Sequence, residues 1–595
     1  MDSVAFIFQT KDYIEIKSLT VMRLVASSSI LICLALNLWG QHDQNIDRSE
    51  ARIPMRDGIE LAAIVYAPEQ EKTFPALLYR TPYGIENYDS WAELPVLAAK
   101  RGYLVILVDV RGRYSSEGEF EAYRNEKEDG HDVIEWVASH PRCNGRVGTY
   151  GGSYPGIVQW LAMTQSPNGL WAAAPEMTPI GSHHFFYNGG AFSTTWLDWF
   201  VPLIFPDKMK RAGKEEIFVE MEKNFLTDRK KWYGFRPMNE HPFLKEFAPE
   251  YFEWLEHPER DSWWDFVNIE DHFKKFQAPV FLLSGWYDAA YGVEGAIRAF
   301  EKMQTESAGD RASNHTKLIL GPWNHTTVEP RKTEFGEIDF GPSAGMNYDE
   351  LLLDWFDAQI KNGQESELPR ASIFMMGANH WLAYETWPPP NAKPVEYFLM
   401  NDHMLSNEPG SSEGLTYRFD PADPLWDKSY EKSYPYDQRE NESRSDVLTF
   451  TSEPLIEDLD IVGEVVAELF VSSTAADTDF SITLCDVYPD GRSINLAGLD
   501  AGYLRMRYRE SYDRQVLMEP GEVYKIRIGR LFTANCFKKG HSIRLAITSS
   551  KAPHYDPNPN TGRKISSETR LIPCENTIHV GVGYPSRLVL PVIDP

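Results

Sequence analysis

The chain has 595 residues, 42% hydrophobic, 25% charged and 13% aromatic, which suits packed domains and excludes a disordered or collagen-like chain. Its 87 acidic against 59 basic side chains leave a formal charge of −28 with no long basic run, which argues against nucleic acid as a partner. Five scattered cysteines and no CxxC, HExxH, GxGxxG or P-loop pattern argue against a disulfide scaffold, a zinc site and a nucleotide loop, so no metal or cofactor is expected.

Met22-Arg23 precedes a mostly apolar run to Leu36, and Asn37-Leu38-Trp39-Gly40 follow before a polar stretch. A basic start, a short apolar core and a small residue ahead of polar sequence describe a secretory signal peptide. Residues 1–40 are therefore expected to be a targeting segment, with Met22 as the natural start and cleavage near Gly40. The mature chain is expected outside the cytoplasm, periplasmic or extracellular, with no membrane association once the signal is removed. A retained anchor is the competing reading, disfavoured by the shortness of the run. Cys33 would leave with the signal, and the other four cysteines could pair in ways the sequence leaves open.

Residues 45–168 alternate between strands and helices. Residues 76–80 and 104–108 are apolar runs of buried-strand length, and residues 91–101 and 130–139 carry apolar side chains at helical spacing. Strands separated by helices imply a parallel sheet. Residues 169–270 are aromatic-rich, with Trp196, Trp199, Trp254, Trp263 and Trp264 among Glu and Lys, and read as a helical insertion. Residues 271–362 return to the first pattern through apolar runs at 280–284 and 317–320 and an amphipathic helix over 348–360. Beyond 363, alternating stretches such as 466–471 and 542–547 predict many short strands, hence an all-β sandwich or jelly roll to residue 595.

The chemistry concentrates at Gly151-Gly152-Ser153-Tyr154-Pro155-Gly156. A GxSxG elbow would place its second glycine at 155, but Pro155 stands there and glycine falls one place late. An elbow serine sits between a strand and a helix, where the N–H of Tyr154 can meet a developing oxyanion. A serine nucleophile needs a base, and the base needs an orienting carboxylate. Asp288 follows the 280–284 strand in Ser-Gly-Trp-Tyr-Asp, and His325 follows the 317–320 strand in Gly-Pro-Trp-Asn-His. Both positions are carboxyl ends of strands, where α/β sheets build their sites, and the order Ser, Asp, His is that of α/β-hydrolases. Taken singly, Ser153 could be a bystander in a Gly-rich turn, Asp288 a turn residue and His325 a loop histidine.

Arg80-Thr-Pro-Tyr83, Asp109-Val-Arg-Gly112, Ser116-Glu-Gly118, the Ser153 segment and the two strand-end motifs resemble the cocaine-esterase-like hydrolases. That family is related to the Xaa-Pro dipeptidyl-peptidases. The resemblance covers nearly all of residues 50–590. It implies an α/β-hydrolase sheet with an inserted helical cap, followed by a C-terminal jelly-roll domain of galactose-binding type. It implies Ser153 as nucleophile, His325 as base, Asp288 as its orienter, and Tyr83 with the Tyr154 N–H as oxyanion hole. The expected activity is hydrolysis of a small-molecule ester or amide through an acyl-enzyme; an Xaa-Pro dipeptidyl-peptidase is the alternative. Amino-ester hydrolases of the family hold a substrate ammonium with acids just after the triad aspartate, whereas this chain has Ala290 and Tyr291 there, leaving Glu294 or a cap carboxylate as substitutes. The jelly roll also offers sheet faces through which a homo-oligomer could form.

Overall fold

A computed structural model describes residues 46–594 except 91, 326–330, 364–365, 431 and 499–500. The expected signal segment, with Met22, Cys33 and Gly40, lies outside the described residues. Among those described, no helix is long and apolar enough to cross a bilayer.

The sheet begins with β1 (Ile46–Pro54) and β2 (Glu60–Pro68), an antiparallel pair. It continues with β3 (Phe74–Thr81), β4 (Leu104–Asp109), β5 (Cys143–Gly152) and β6 (Leu170–Glu176), in the order β1-β2-β4-β3-β5-β6. β3 and β4 are buried from end to end, as strands covered on both faces must be. Ala173 of β6 bridges Val280 in parallel, and the Met177 N–H donates to the Leu283 carbonyl at 2.8 Å. These bonds join a second group, β7 (Phe281–Gly285), β8 (Lys317–Gly321) and β9 (Ala371–Met375), all parallel, with β10 (His380–Tyr384) antiparallel at the far edge.

Two expected boundaries move. The helical insertion does not begin at residue 169, because β6 occupies 170–176 as a central strand of the sheet. Nor is everything after 363 part of the β-domain, since β9 and β10 extend the first sheet. The insertion proper comprises short helices such as Phe205–Arg211, Glu215–Thr227 and Pro249–Glu256. Its tryptophans pack mainly on one another and on Phe186: Phe186 lies 4.5 Å from Trp264 and 4.7 Å from Trp254 between ring centroids. The helix expected over 348–360 is regular from Tyr348 to Phe356 and then widens into a π-turn over Asp357–Asn362.

The C-terminal region is two antiparallel sheets. One is built on the long strands Leu459–Ser473 and Tyr524–Phe537, the other on Asp479–Val487 and Ser542–Thr548. Leu469, Ile482, Leu545 and Ile578 fill the core between them with no exposed surface. Cys143, Cys485, Cys536 and Cys574 are all buried free thiols.

The regions interlock through polar contacts. The Thr194 N–H in the insertion donates to the His554 carbonyl at 2.9 Å, and the Phe192 N–H to Asp556 Oδ1 at 3.0 Å. Arg505 lies between Asp479 and Asp556, and all three side chains are at most 1% exposed.

Candidate active site

β5 ends at Gly152, and Ser153 takes φ 62° and ψ −130°, outside the regions an L-residue prefers, before the helix Tyr154–Met163 begins. Its N–H is anchored to the Glu176 carbonyl of β6 at 3.0 Å. The one-place shift in the glycine pattern has a steric reason. A Cβ on Gly156 would lie 2.5 Å from Thr178 Cγ2 and 3.0 Å from the Gly151 carbonyl, so the helix can approach β5 and β6 only with glycine there. Pro155 stands in the first helical turn, where no intrahelical acceptor awaits an N–H. Gly151, at φ 126°, is needed as well, because its Cβ would fall 2.8 Å from Pro155 Cβ.

The turns after β7 and β8 are tied together: the Trp286 N–H donates to the Gly321 carbonyl at 2.9 Å and the Tyr287 N–H to the Trp323 carbonyl at 3.1 Å. This brings Asp288 and His325 to one place. Asp288 is fully buried, and its Oδ1 accepts from the N–H groups of Ala290 (2.9 Å) and Tyr291 (3.2 Å). His325 Nδ1 lies 2.8 Å from the same oxygen, and Nε2 lies 3.0 Å from Ser153 Oγ. A carboxylate can only accept, so Nδ1 carries the proton and the Nε2 lone pair faces the serine hydroxyl. The three side chains singled out in the sequence therefore form one hydrogen-bonded chain.

Tyr83 follows β3, and its phenol faces the Ser153 hydroxyl. Trp199 Nε1 donates to the Tyr83 oxygen at 3.0 Å, which leaves the phenol proton to point elsewhere. Burial pushes this phenol up to about 12. The loop that carries it is fixed by Arg113, whose Nε donates to the Pro82 carbonyl at 2.7 Å and whose Nη1 reaches the Ile204 carbonyl of the insertion at 2.8 Å. Asp109 Oδ1 accepts the Ile85 N–H at 2.8 Å, and burial pushes its carboxyl up to about 7.

Tyr154 is the first helical residue, so its N–H has no acceptor within the helix. Its ring stacks on Tyr123 at 4.4 Å. Its hydroxyl donates to Glu126 Oε1 at 2.8 Å, and Arg80 Nη2 donates to Glu126 Oε2 at 2.6 Å. Burial raises the Glu126 carboxyl despite that arginine. The Arg80–Glu126–Tyr154 chain holds the residue behind the serine from the core side.

Trp199, Arg113, Glu126 and Tyr291 were not singled out as site residues in the sequence. Trp199 sits in an aromatic-rich stretch that reads equally as pocket lining or packed core, while Arg113 adjoins the Asp109-Val-Arg-Gly112 motif and Tyr291 lies three places after Asp288. Phe185 packs 5.2 Å from Tyr291, which makes the rim of the site aromatic. Glu294, the first carboxylate after Asp288, is already engaged: Arg530 Nε lies 2.6 Å away, Arg298 Nε 3.6 Å and His184 Nε2 3.4 Å.

If Tyr83 supplies an oxyanion donor, Tyr83→Phe lowers kcat by about 10²–10³-fold, the usual cost of one such donor, with KM little changed. Steady-state kinetics on a nitrophenyl ester would check this. Because the neutral phenol is the donor and its deprotonation is pushed up to about 12, the wild-type rate shows no alkaline loss from this group up to about pH 11.

A strand-helix elbow serine bonded to a histidine on an α/β-hydrolase sheet defines the class, a serine hydrolase. Residues 57–327 match the family model of the X-Pro dipeptidyl-peptidase (S15 family), and residues 362–589 match the X-Pro dipeptidyl-peptidase C-terminal non-catalytic domain. The cocaine esterase of Rhodococcus sp. (strain MB1 Bresler) is 32% identical over 579 residues, covering 92% of this chain and 98% of that protein. The chain belongs to this cocaine-esterase-like family of serine hydrolases. Among solved structures, an α-amino acid ester hydrolase superposes with a TM-score of 0.78 at 25% identity, covering 92% of this chain and 97% of the other. A CocE/NonD family hydrolase of Staphylococcus aureus shares the fold, with a TM-score of 0.68 at 18% identity over 92% of this chain and 94% of its own.

Proposed function

We propose that the chain hydrolyses carboxylic esters of uncharged acyl groups through an acyl-enzyme on Ser153. The observation that carries this is the hydrogen-bonded chain Ser153 Oγ to His325 Nε2 at 3.0 Å and His325 Nδ1 to Asp288 Oδ1 at 2.8 Å. In the first half-reaction Ser153 Oγ attacks the carbonyl carbon as its proton passes to His325 Nε2. The oxyanion receives hydrogen bonds from the Tyr83 hydroxyl and the Tyr154 N–H. The bond to the leaving oxygen then breaks, and His325 gives its proton to that oxygen, releasing the alcohol. In the second half, water loses a proton to His325 as it attacks the acyl carbon, the bond to Oγ breaks, and Ser153 regains its proton. Asp288 accepts the Nδ1 hydrogen bond throughout and stabilises the imidazolium.

The engagement of Glu294 favours neutral acyl groups. A free carboxylate beside the site would suit an α-ammonium group, but this one already faces Arg530 at 2.6 Å. The name of the Rhodococcus relative is that of an esterase, in agreement with this reading.

The test compares a short-chain nitrophenyl ester with a glycyl-prolyl anilide. Rapid mixing with the ester is expected to release a burst of about one nitrophenol per active site, absent from Ser153→Ala, and kcat/KM for the anilide is expected to be on the order of a hundredfold lower or worse. Faster turnover of the anilide would replace this reading with the dipeptidyl-peptidase one.

A further inference from the structure

One residue touches every member of the Ser–His–Asp chain. The Tyr291 N–H donates to Asp288 Oδ1 at 3.2 Å, its ring meets the His325 ring edge-on at 5.0 Å and 82°, and its phenol faces the Ser153 hydroxyl. Two phenols thus face the same serine, Tyr83 and Tyr291, and of these Tyr291 packs against the base. A tetrahedral adduct on Ser153 carries two oxygens besides Oγ, and they occupy different corners. The oxyanion faces Tyr83 and the helix terminus. The leaving oxygen must lie within reach of His325 Nε2, because that nitrogen returns the proton to it.

We propose that Tyr291 is a catalytic residue on the leaving-group side, donating a hydrogen bond to the ester's alkoxy oxygen while the carbon–oxygen bond breaks. The proposal rests on the serine-hydrolase reading given above. The alkoxy oxygen leaves with the bonding pair, and His325 supplies the proton that makes it an alcohol. Tyr291 keeps its own proton throughout and lends only the hydrogen bond. Burial holds its phenol above the ordinary range, so it stays a donor at any working pH. Phe185, 5.2 Å away, covers the ring from the insertion and keeps it against His325.

A donor of this kind matters in proportion to the charge that builds on the leaving oxygen. Nitrophenoxide departs with little help, whereas an alkoxide does not. Tyr291→Phe is therefore expected to lower kcat/KM for an ethyl ester by roughly ten- to a hundredfold, while the nitrophenyl ester of the same acid changes by about threefold or less. Deacylation, common to both substrates, should keep its rate. Both esters are assayed on one preparation, so an inactive fraction cancels in their ratio, and the thermal transition of the variant is compared with wild type. An equal loss on both esters would mean that Tyr291 only packs His325, and no loss on either would remove it from the chemistry; both outcomes overturn the proposal. Failure of the underlying reading is a separate result, seen as turnover that survives Ser153→Ala.

Discussion

Ser153→Ala is expected to lower kcat on a nitrophenyl ester by on the order of 10⁶-fold while leaving the fold intact. The size of the effect follows from the geometry. The Ser153 hydroxyl is the atom His325 Nε2 faces at 3.0 Å, and the other two members of the chain have no function without it. What should survive is the contribution of substrate binding and of the proposed oxyanion donors, the Tyr83 hydroxyl and the Tyr154 N–H, roughly 10³–10⁴ over the reaction in water. The structural cost should be small. Alanine keeps the Cβ, the backbone at φ 62° strains either residue alike, and the anchoring bond to the Glu176 carbonyl comes from the main chain. Initial rates together with a thermal melt are the measurement. A variant that kept a rate within tenfold of wild type would remove Ser153 from the chemistry.

The hydrogen-bonded chain of Ser153, His325 and Asp288 was legible in the sequence and its surroundings were not. Asp288 and His325 each stand just past an apolar strand and Ser153 lies in a glycine-rich motif, so local patterns and residue type were enough to mark them. β6, in contrast, reads Leu-Trp-Ala-Ala-Ala-Pro-Glu, with no β-branched residue to set it apart from helix. It is a strand because β5 on one side and β7 on the other leave its backbone groups no other partners. β9 and β10 were hidden by the change of texture at 363, which marks the start of strand-rich sequence but not the sheet those strands join. Tyr291, Trp199 and Arg113 make contacts with residues 34 to 116 positions away, and no local pattern carries such contacts: His325 for Tyr291, Tyr83 for Trp199 and Ile204 for Arg113. Pro155-Gly156 is the intermediate case. The sequence showed the departure from GxSxG, and only the approach of Thr178 and the Gly151 carbonyl gave its reason.

The largest stability effect is expected at Arg505, in the C-terminal β-region. Its Nε and Nη2 reach Asp479 at 3.0 and 2.9 Å, Nη1 reaches both oxygens of Asp556 at 3.2 Å, and Nη2 also donates to the Asp556 carbonyl at 2.7 Å. Arg505→Met removes the cation that two buried carboxylates share, and leaving a buried charge uncompensated costs about 3–5 kcal/mol. Arg505→Lys keeps the charge but loses the planar fork, so it should fall between the two. The deficit should depend on pH. Burial already raises the Asp556 carboxyl against the pull of Arg505, and without the arginine it rises further above its unfolded value. A group raised in this way supports the fold below its unfolded pKa and ceases to do so as pH climbs through the folded one. The methionine variant should therefore be closer to wild type at pH 5 than at pH 8. Asp556 also holds the Phe192 N–H, and the neighbouring His554 carbonyl holds Thr194, so the insertion that carries Trp199 to Tyr83 loosens with it. Urea midpoints followed by tryptophan fluorescence at the two pH values, with ester turnover measured alongside, test both parts. A methionine variant as stable as wild type at pH 8 would mean that the two carboxylates find water or protons in place of the arginine, and that this buried network does not hold the regions together.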